Sequence, residues 1–235
     1  MRVFRLLGAI AAIAVATVLV VGACSAQPKP PPELTAPEIA AKSSEAMQKV
    51  KSFHFDLEAQ GGEMSFGQGI TLSKAQGETV VPDKAQVQFT GAFAGFQMES
   101  QLVSVGSKQY LQNPLTKKWQ PLGGSFDASA LFRPEGGAPS LIAKAQNLEK
   151  VSKETIDGVE CYHLRGTLSA KDLASIGADP NGNASVTADA WMGTQDFLVR
   201  QLTLKGTIAA GEPADLTRVI HLSRFDQTFD IRPPE

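Results

Sequence analysis

Cysteine is nearly absent from this chain: 235 residues hold two, Cys24 and Cys161. If Cys24 is modified, Cys161 has no intramolecular partner, so a disulfide framework is excluded and stability must come from a packed core. Histidine is scarce as well, with three residues, His54, His163 and His221, on three separate extended segments and without metal-ligand spacing. No metal or other cofactor is expected. The sequence lacks a G-x-S-x-G elbow, a phosphate loop, an H-E-x-x-H helix and a C-x-x-C pair, so no enzymatic signature supports a catalytic reading. Charge of one sign is missing too. Lysine and arginine total 22 against 24 aspartates and glutamates, and no basic stripe with interleaved aromatics marks a nucleic-acid surface.

What is present begins at the N-terminus. Arg2 and Arg5 precede an uncharged apolar run from Leu6 to Val21, followed by Gly22-Ala23-Cys24. A basic segment, an apolar stretch and small residues before a cleavage point describe a secretory leader. The run is slightly short for a spanning helix, which needs about 20 apolar residues. A retained anchor would leave Cys24 unexplained. A branched aliphatic, two small residues and cysteine resemble the lipobox of bacterial lipoproteins, which implies a diacylglyceryl thioether on Cys24 after removal of residues 1–23. The expected location is the cell membrane, on its extracytoplasmic face, anchored by lipid.

Removal of that leader leaves about 210 residues, enough for one large domain or two small ones. Residues 24–34 form a proline-rich tether that packs poorly and favours extended geometry; at about 3.1 Å per residue it spans roughly 25–30 Å. No linker or composition break follows Thr35, so residues 35–235 read as one domain. Thr35-Ala36-Pro37-Glu38 has capping-box spacing, and Ile39, Ala46, Met47 and Val50 continue it at helical spacing. After Lys51 the period changes to two. Phe53, Phe55, Leu57 and Ala59 alternate with His54, Asp56 and Glu58. Comparable strands are expected at Gln86–Gly91, Phe96–Val105, Lys108–Gln112, Val159–Leu168, Ala184–Met192, Leu198–Ile208 and Leu216–Phe225, separated by turn residues such as Asp157-Gly158 and Gly211-Glu212-Pro213. Helical interruptions are expected at Phe126–Phe132, Ser140–Asn147 and Ser169–Ile176.

Short strands joined by turns argue for an antiparallel sheet within an α+β fold. Such a sheet is over 40 Å wide at about 4.8 Å per strand, more than two or three helices of about 10 Å can cover if it is flat. It must close, fold into a sandwich, or curl around the helices. Cys161 is expected to be an ordinary half-buried strand residue, and Tyr110, Trp119 and Trp191 to pack near sheet edges.

Glu154-Thr155-Ile156-Asp157-Gly158, Tyr162-His163-Leu164-Arg165-Gly166, Leu168-Ser169-Ala170, Trp191 and Leu198-Val199-Arg200-Gln201-Leu202 follow Gly106, Tyr110-Leu111 and Trp119. In this order, behind a lipobox, they resemble the LppX/LprG-type lipoproteins of the mycobacterial cell envelope. The resemblance implies a LolA/LolB-like fold: a single strongly curled antiparallel sheet, an incomplete β-barrel, packed on a few helices around an apolar cavity. It further implies binding of an acylated lipid or glycolipid and its carriage within the envelope, with no catalytic residues to transfer. The proline-rich tether and the Gly61–Gly77 segment depart from a typical member.

Candidate cavity residues are Phe53, Phe55, Leu57, Phe89, Phe96, Met98, Leu131, Phe132, Leu141, Ile142, Tyr162, Leu164, Leu202, Leu204 and Leu222; each is equally at home in a filled core. Leu131-Phe132-Arg133-Pro134-Glu135-Gly136-Gly137 has the composition of a movable flap. Expected partners are the lipid ligand, a membrane held through lipidated Cys24, and, as a further candidate, a membrane transporter; nucleic acid is excluded. The rival is an envelope sensor or protein-interaction module that uses the wet face of the same sheet without transferring lipid.

Overall fold

A computed structural model describes residues 33–65, 70–93, 95–122, 133, 137–173, 182–183 and 185–235. The leader, nearly all of the tether with Cys24, the expected helix at 126–132 with Leu131 and Phe132, and most of the flap lie outside the described residues.

The first element is α1, Ala36–Met47. The Glu38 carboxylate accepts both the Thr35 backbone N–H (2.8 Å) and its hydroxyl (2.7 Å), while the Thr35 carbonyl accepts the Ile39 N–H. These hydrogen bonds, the backbone one foremost, hold the Glu38 carboxyl below its ordinary range. The buried stripe is Ala36, Ile39, Ala40, Ser43 and Met47, so Ala40 and Ser43 take the inward place expected of Ala46, which is only half-buried.

Twelve strands follow among the described residues, all in one antiparallel sheet: β1 Ser52–Gln60, β2 Met64–Ser65, β3 Ile70–Val80, β4 Lys84–Phe93, β5 Phe96–Val105, β6 Lys108–Gln112, β7 Trp119–Pro121, β8 Gln146–Ile156, β9 Val159–Ser169, β10 Ser185–Gly193, β11 Val199–Lys205 and β12 Thr217–Ser223. A 3₁₀ helix, Ala138–Lys144, precedes β8. The spatial order is β7-β6-β5-β4-β3-β1-β12-β11-β10-β9-β8, with β2 paired to β3. Two meanders therefore meet at the pairing of β1 with β12, where Phe55 faces Leu222 and Leu57 faces Ile220. The outermost strands β7 and β8 do not pair with each other, so the sheet is open. One edge is only three residues long, and the other carries Glu149, Lys150, Lys153 and Glu154, devices that discourage pairing with a second chain.

Four strands, β2, β3, β7 and β8, go beyond the periodicity reading, and of the helix expected at Ser169–Ile176 the described part ends β9 and turns at residues 170–173. Gln146 and Asn147, expected at the end of a helix, open β8. In β3 a register shift between Leu72 and Lys74 breaks the alternation, and in β8 the edge position replaces apolar residues with charged ones. The Asp157-Gly158 turn behaves as its residues predict. Both have positive φ (48° and 80°), the geometry that joins two twisted strands through a two-residue loop.

One face of the sheet is dry. Phe53, Phe55, Ala75, Val87, Leu102, Leu164, Leu168, Ala188, Leu202, Leu204 and Leu222 point to it and form one core with Ile39, Ala40 and Met47 of α1 and Leu141 and Ile142 of the 3₁₀ helix. Gly77 sits in this face between Phe55 and Val87. A Cβ there would lie 2.0 Å from the Gln86 carbonyl oxygen, so backbone would have to move. Gly77→Ala should cost about 1–3 kcal/mol in urea unfolding, although alanine outside such a contact is the better strand residue.

Candidate functional site

Two surfaces merit comparison: the dry face under α1, and the polar face opposite. On the dry face, eight of the residues expected to line a cavity are buried in the common core: Phe53, Phe55, Leu141, Ile142, Leu164, Leu202, Leu204 and Leu222. Leu57, Phe89 and Tyr162 are half-buried against it. Met98 is half-buried, and Phe96 is 79% exposed at the tip of the β4–β5 hairpin. Cys24, Leu131 and Phe132 lie outside the described residues.

Met47 is buried as its helical spacing predicts, while Leu102, Leu173 and Met192 are members of the interior that sequence reasoning missed. The signal for Met192 was present, because Val186, Ala188, Ala190 and Met192 alternate along β10. Three hydroxyls of this interior, those of Ser43, Thr79 and Ser104, have no hydrogen-bond partner among the described residues. Thr79 and Ser104 flank Ala85 in one cross-strand row. A buried hydroxyl without a partner costs about 1–3 kcal/mol, so this row wants an acceptor.

A buried ion pair closes one end of the dry face. Arg218, which shares the inward side of β12 with Ile220 and Leu222, donates to the Glu212 carboxylate and, at 3.0 Å, to the Gly206 carbonyl. Glu212 also accepts backbone N–H groups from Ile208 (2.8 Å), Ala209 (2.9 Å) and Ser65 (3.0 Å). Burial alone would raise the Glu212 carboxyl, but the Arg218 bond and the three N–H donors outweigh it and hold the group below its ordinary value.

The polar face carries a tighter cluster than its sequence suggested. His163, expected as a wet strand residue, is buried. Its Nδ1 lies 2.9 Å from Glu154 and its Nε2 2.6 Å from Asp189, which also accepts from Arg165 at 2.8 Å. Trp191 stacks on the imidazole at 4.2 Å and donates its indole N–H to Glu154 at 2.9 Å. The Ser152 hydroxyl, and next the Trp191 indole, hold the Glu154 carboxyl below its ordinary range. A neutral imidazole donates to one of its two carboxylates and an imidazolium to both. The Ser152 hydroxyl donates to Glu154 at 2.6 Å and lies 3.4 Å from His163, so the cluster ties β8, β9 and β10 together and does not present a free nucleophile. Cys161 on the same strand is fully buried instead of half-buried, and burial pushes its thiol up, which makes it unreactive. Nearby, a groove of about 380 Å³ crosses the strands β12, β1, β3 and β4 and is lined by Asp56, Glu58, Lys74, Gln76, Gln88 and His221.

An open antiparallel sheet whose dry face packs, among the described residues, on one α-helix, with the polar face left wet, defines a class of single-sheet proteins with one large apolar face to cover. The chain belongs to a particular family within it: the family model described as LppX_LprAFG lipoprotein matches residues 35–223. Two proteins named lipoarabinomannan carrier protein LprG are similar to it. The one from Mycobacteroides abscessus is 26% identical over 184 residues, 77% of this chain and 78% of its own length. The one from Mycolicibacterium smegmatis is 24% identical over 207 residues, 84% of this chain and 85% of its own. Among solved structures, LprF from Mycobacterium bovis superposes with a TM-score of 0.66 at 14% identity, covering 85% of this chain and 96% of that one. LppX from Mycobacterium tuberculosis gives 0.60 at 16%, covering 83% and 99%. At these identities the two structures establish a shared fold.

Proposed function

We propose that this protein is a membrane-anchored lipoprotein that takes the acyl chains of a lipid or glycolipid between the dry face of its sheet and α1, and carries them within the cell envelope. The observation that carries this reading is the single dry face running from β5 through β1 to β9, in a chain whose similar proteins are named for carrying lipoarabinomannan. Cys24 is the proposed attachment point for the anchor.

The mechanism is partitioning. Each buried CH₂ contributes about 0.8 kcal/mol, so a sixteen-carbon chain gains over about 10 kcal/mol on leaving water. Relative to a bilayer the gain is near zero. That balance lets loading and unloading both proceed.

The test is native mass spectrometry of residues 25–235 purified from cells, followed by organic extraction; this segment holds the whole compact unit Leu34–Glu235. Reproducible extra mass identified as acylated lipid is expected. A bare protein that also takes up no added phospholipid or glycolipid would favour the second reading, an interaction module that uses the polar groove around Asp56, Lys74 and His221. For the anchor, Cys24→Ser is expected to release the protein from membranes or leave an unprocessed precursor; ordinary processing with membrane retention would refute lipidation at that residue.

A further inference from the structure

The β4–β5 hairpin ends in two phenylalanines that the core does not use. Phe93 and Phe96 pair directly across the hairpin and are 52% and 79% exposed. They stand on the same side of the sheet as the core. Along β4 that side reads Ala85, Val87, Phe89, Gly91, Phe93, and along β5 it reads Ser104, Leu102, Ser100, Met98, Phe96. This track is buried at Val87, Leu102, Ser100 and Gly91 and half-buried at Phe89 and Met98, and it becomes exposed only at the two rings of the tip. The tip overhangs β6 on one side, while β3 accompanies β4 to Phe93 on the other. β5 pairs with β6 only through Leu102–Val105, so Phe96–Gln101 extend about 20 Å past that pairing at 3.3 Å per residue. Gly91–Met98 contains no charged side chain, and the nearest carboxylates, Glu63 and Glu99, bring no attraction to an anionic surface.

We infer that this hairpin tip is a membrane-docking element: Phe93 and Phe96 enter the acyl region of an uncharged or zwitterionic bilayer, and the apolar track behind them is the route between bilayer and interior. Two exposed aromatic rings side by side on an uncharged sheet corner suit the boundary between lipid headgroups and chains. A flat protein interface would instead need a broad patch. The purpose of the route rests on the carrier reading; the docking itself does not.

The test uses the full, processed chain reconstituted in phosphatidylcholine vesicles with or without bromine on the lipid chains. F96W adds an indole to the background of Trp119 and Trp191. V151W adds one on the far edge strand β8, where Val151 is 45% exposed. The added emission of F96W should be blue-shifted and largely quenched by brominated lipid, and that of V151W should not. F93A/F96A should slow lipid transfer between vesicles about tenfold or more. Equal emission of F96W with and without bromine overturns the proposal. So does self-association in sedimentation that F93A/F96A abolishes while F96W stays unquenched, which would make the occupant a second copy. Unquenched F96W in a protein that yields extracted lipid refutes docking and leaves the carrier standing. Quenched F96W in a protein that holds no lipid does the reverse.

Discussion

Glu212→Ala is expected to lower the unfolding free energy by about 3–5 kcal/mol, as much as a large core truncation. The reason is what it leaves behind. Arg218 is buried, and without the carboxylate its guanidinium keeps only the Gly206 carbonyl as a described acceptor. The backbone N–H groups of Ser65, Ile208 and Ala209 lose their acceptor at the same time. With Arg218 of β12, the carboxylate ties its own local loop after β11 to β2, whose Ser65 lies 147 positions away. Urea unfolding of the variant beside Arg218→Ala and the double variant separates the cost of the orphaned charge from the worth of the pair. The double variant should lose less than the two single losses added together.

The same group gives stability an acid limb. The Glu212 carboxyl titrates lower in the folded chain than its ordinary 4.5, so the unfolded chain binds the proton first as pH falls. Its contribution is complete above that value and is lost as pH drops through the folded pKa. Glu212→Gln should flatten this limb while leaving the slope near neutral pH unchanged.

Phe55→Ala is the second large effect, with an expected loss of about 3–5 kcal/mol in the ligand-free protein. Phe55 is fully buried at the junction of the two meanders, facing Leu222 on one side and Gly77 on the other. Gly77 has no side chain and cannot fill the void, and its neighbouring backbone is already in close approach to β4. Collapse is therefore limited, which places the cost high in the range. If acyl chains occupy the dry face, added lipid should recover part of the lost stability, since anything that binds only the folded state stabilises it. Recovery absent in Phe55→Ala but present in the unaltered protein would show that the ring itself contacts the chain. Equal recovery in both would place the lipid elsewhere on that face.

Local pattern carried a good deal of this protein. The strands β5 and β6 match their expected limits, α1 starts at its capping box, and Phe53-Phe55, Leu164-Leu168 and Leu202-Leu204 turn inward as their alternation requires. Period-two alternation works because each strand residue is committed to one face by the backbone alone. The family was legible for the same reason, since its turns and strand residues recur in order behind Cys24. What alternation cannot say is how far a face is covered. Phe96 has the parity of Leu102 yet stands in solvent, because the hairpin outruns its neighbour β6. His163 and Cys161 have the parity of wet residues yet are buried. Trp191 and the carboxylates of Glu154 and Asp189 close over His163 from nine to twenty-eight positions away, within reach only once β8, β9 and β10 are side by side. The pairing of β1 with β12, and the hydrogen bond from Ser65 of β2 to Glu212, a residue read only as part of a turn, belong to the same class. Sequence by itself determined which residues face together within each strand and where the helix begins. Tertiary structure decided which strands become neighbours and where the sheet runs out, because those contacts are selected by packing between distant segments that no local period encodes.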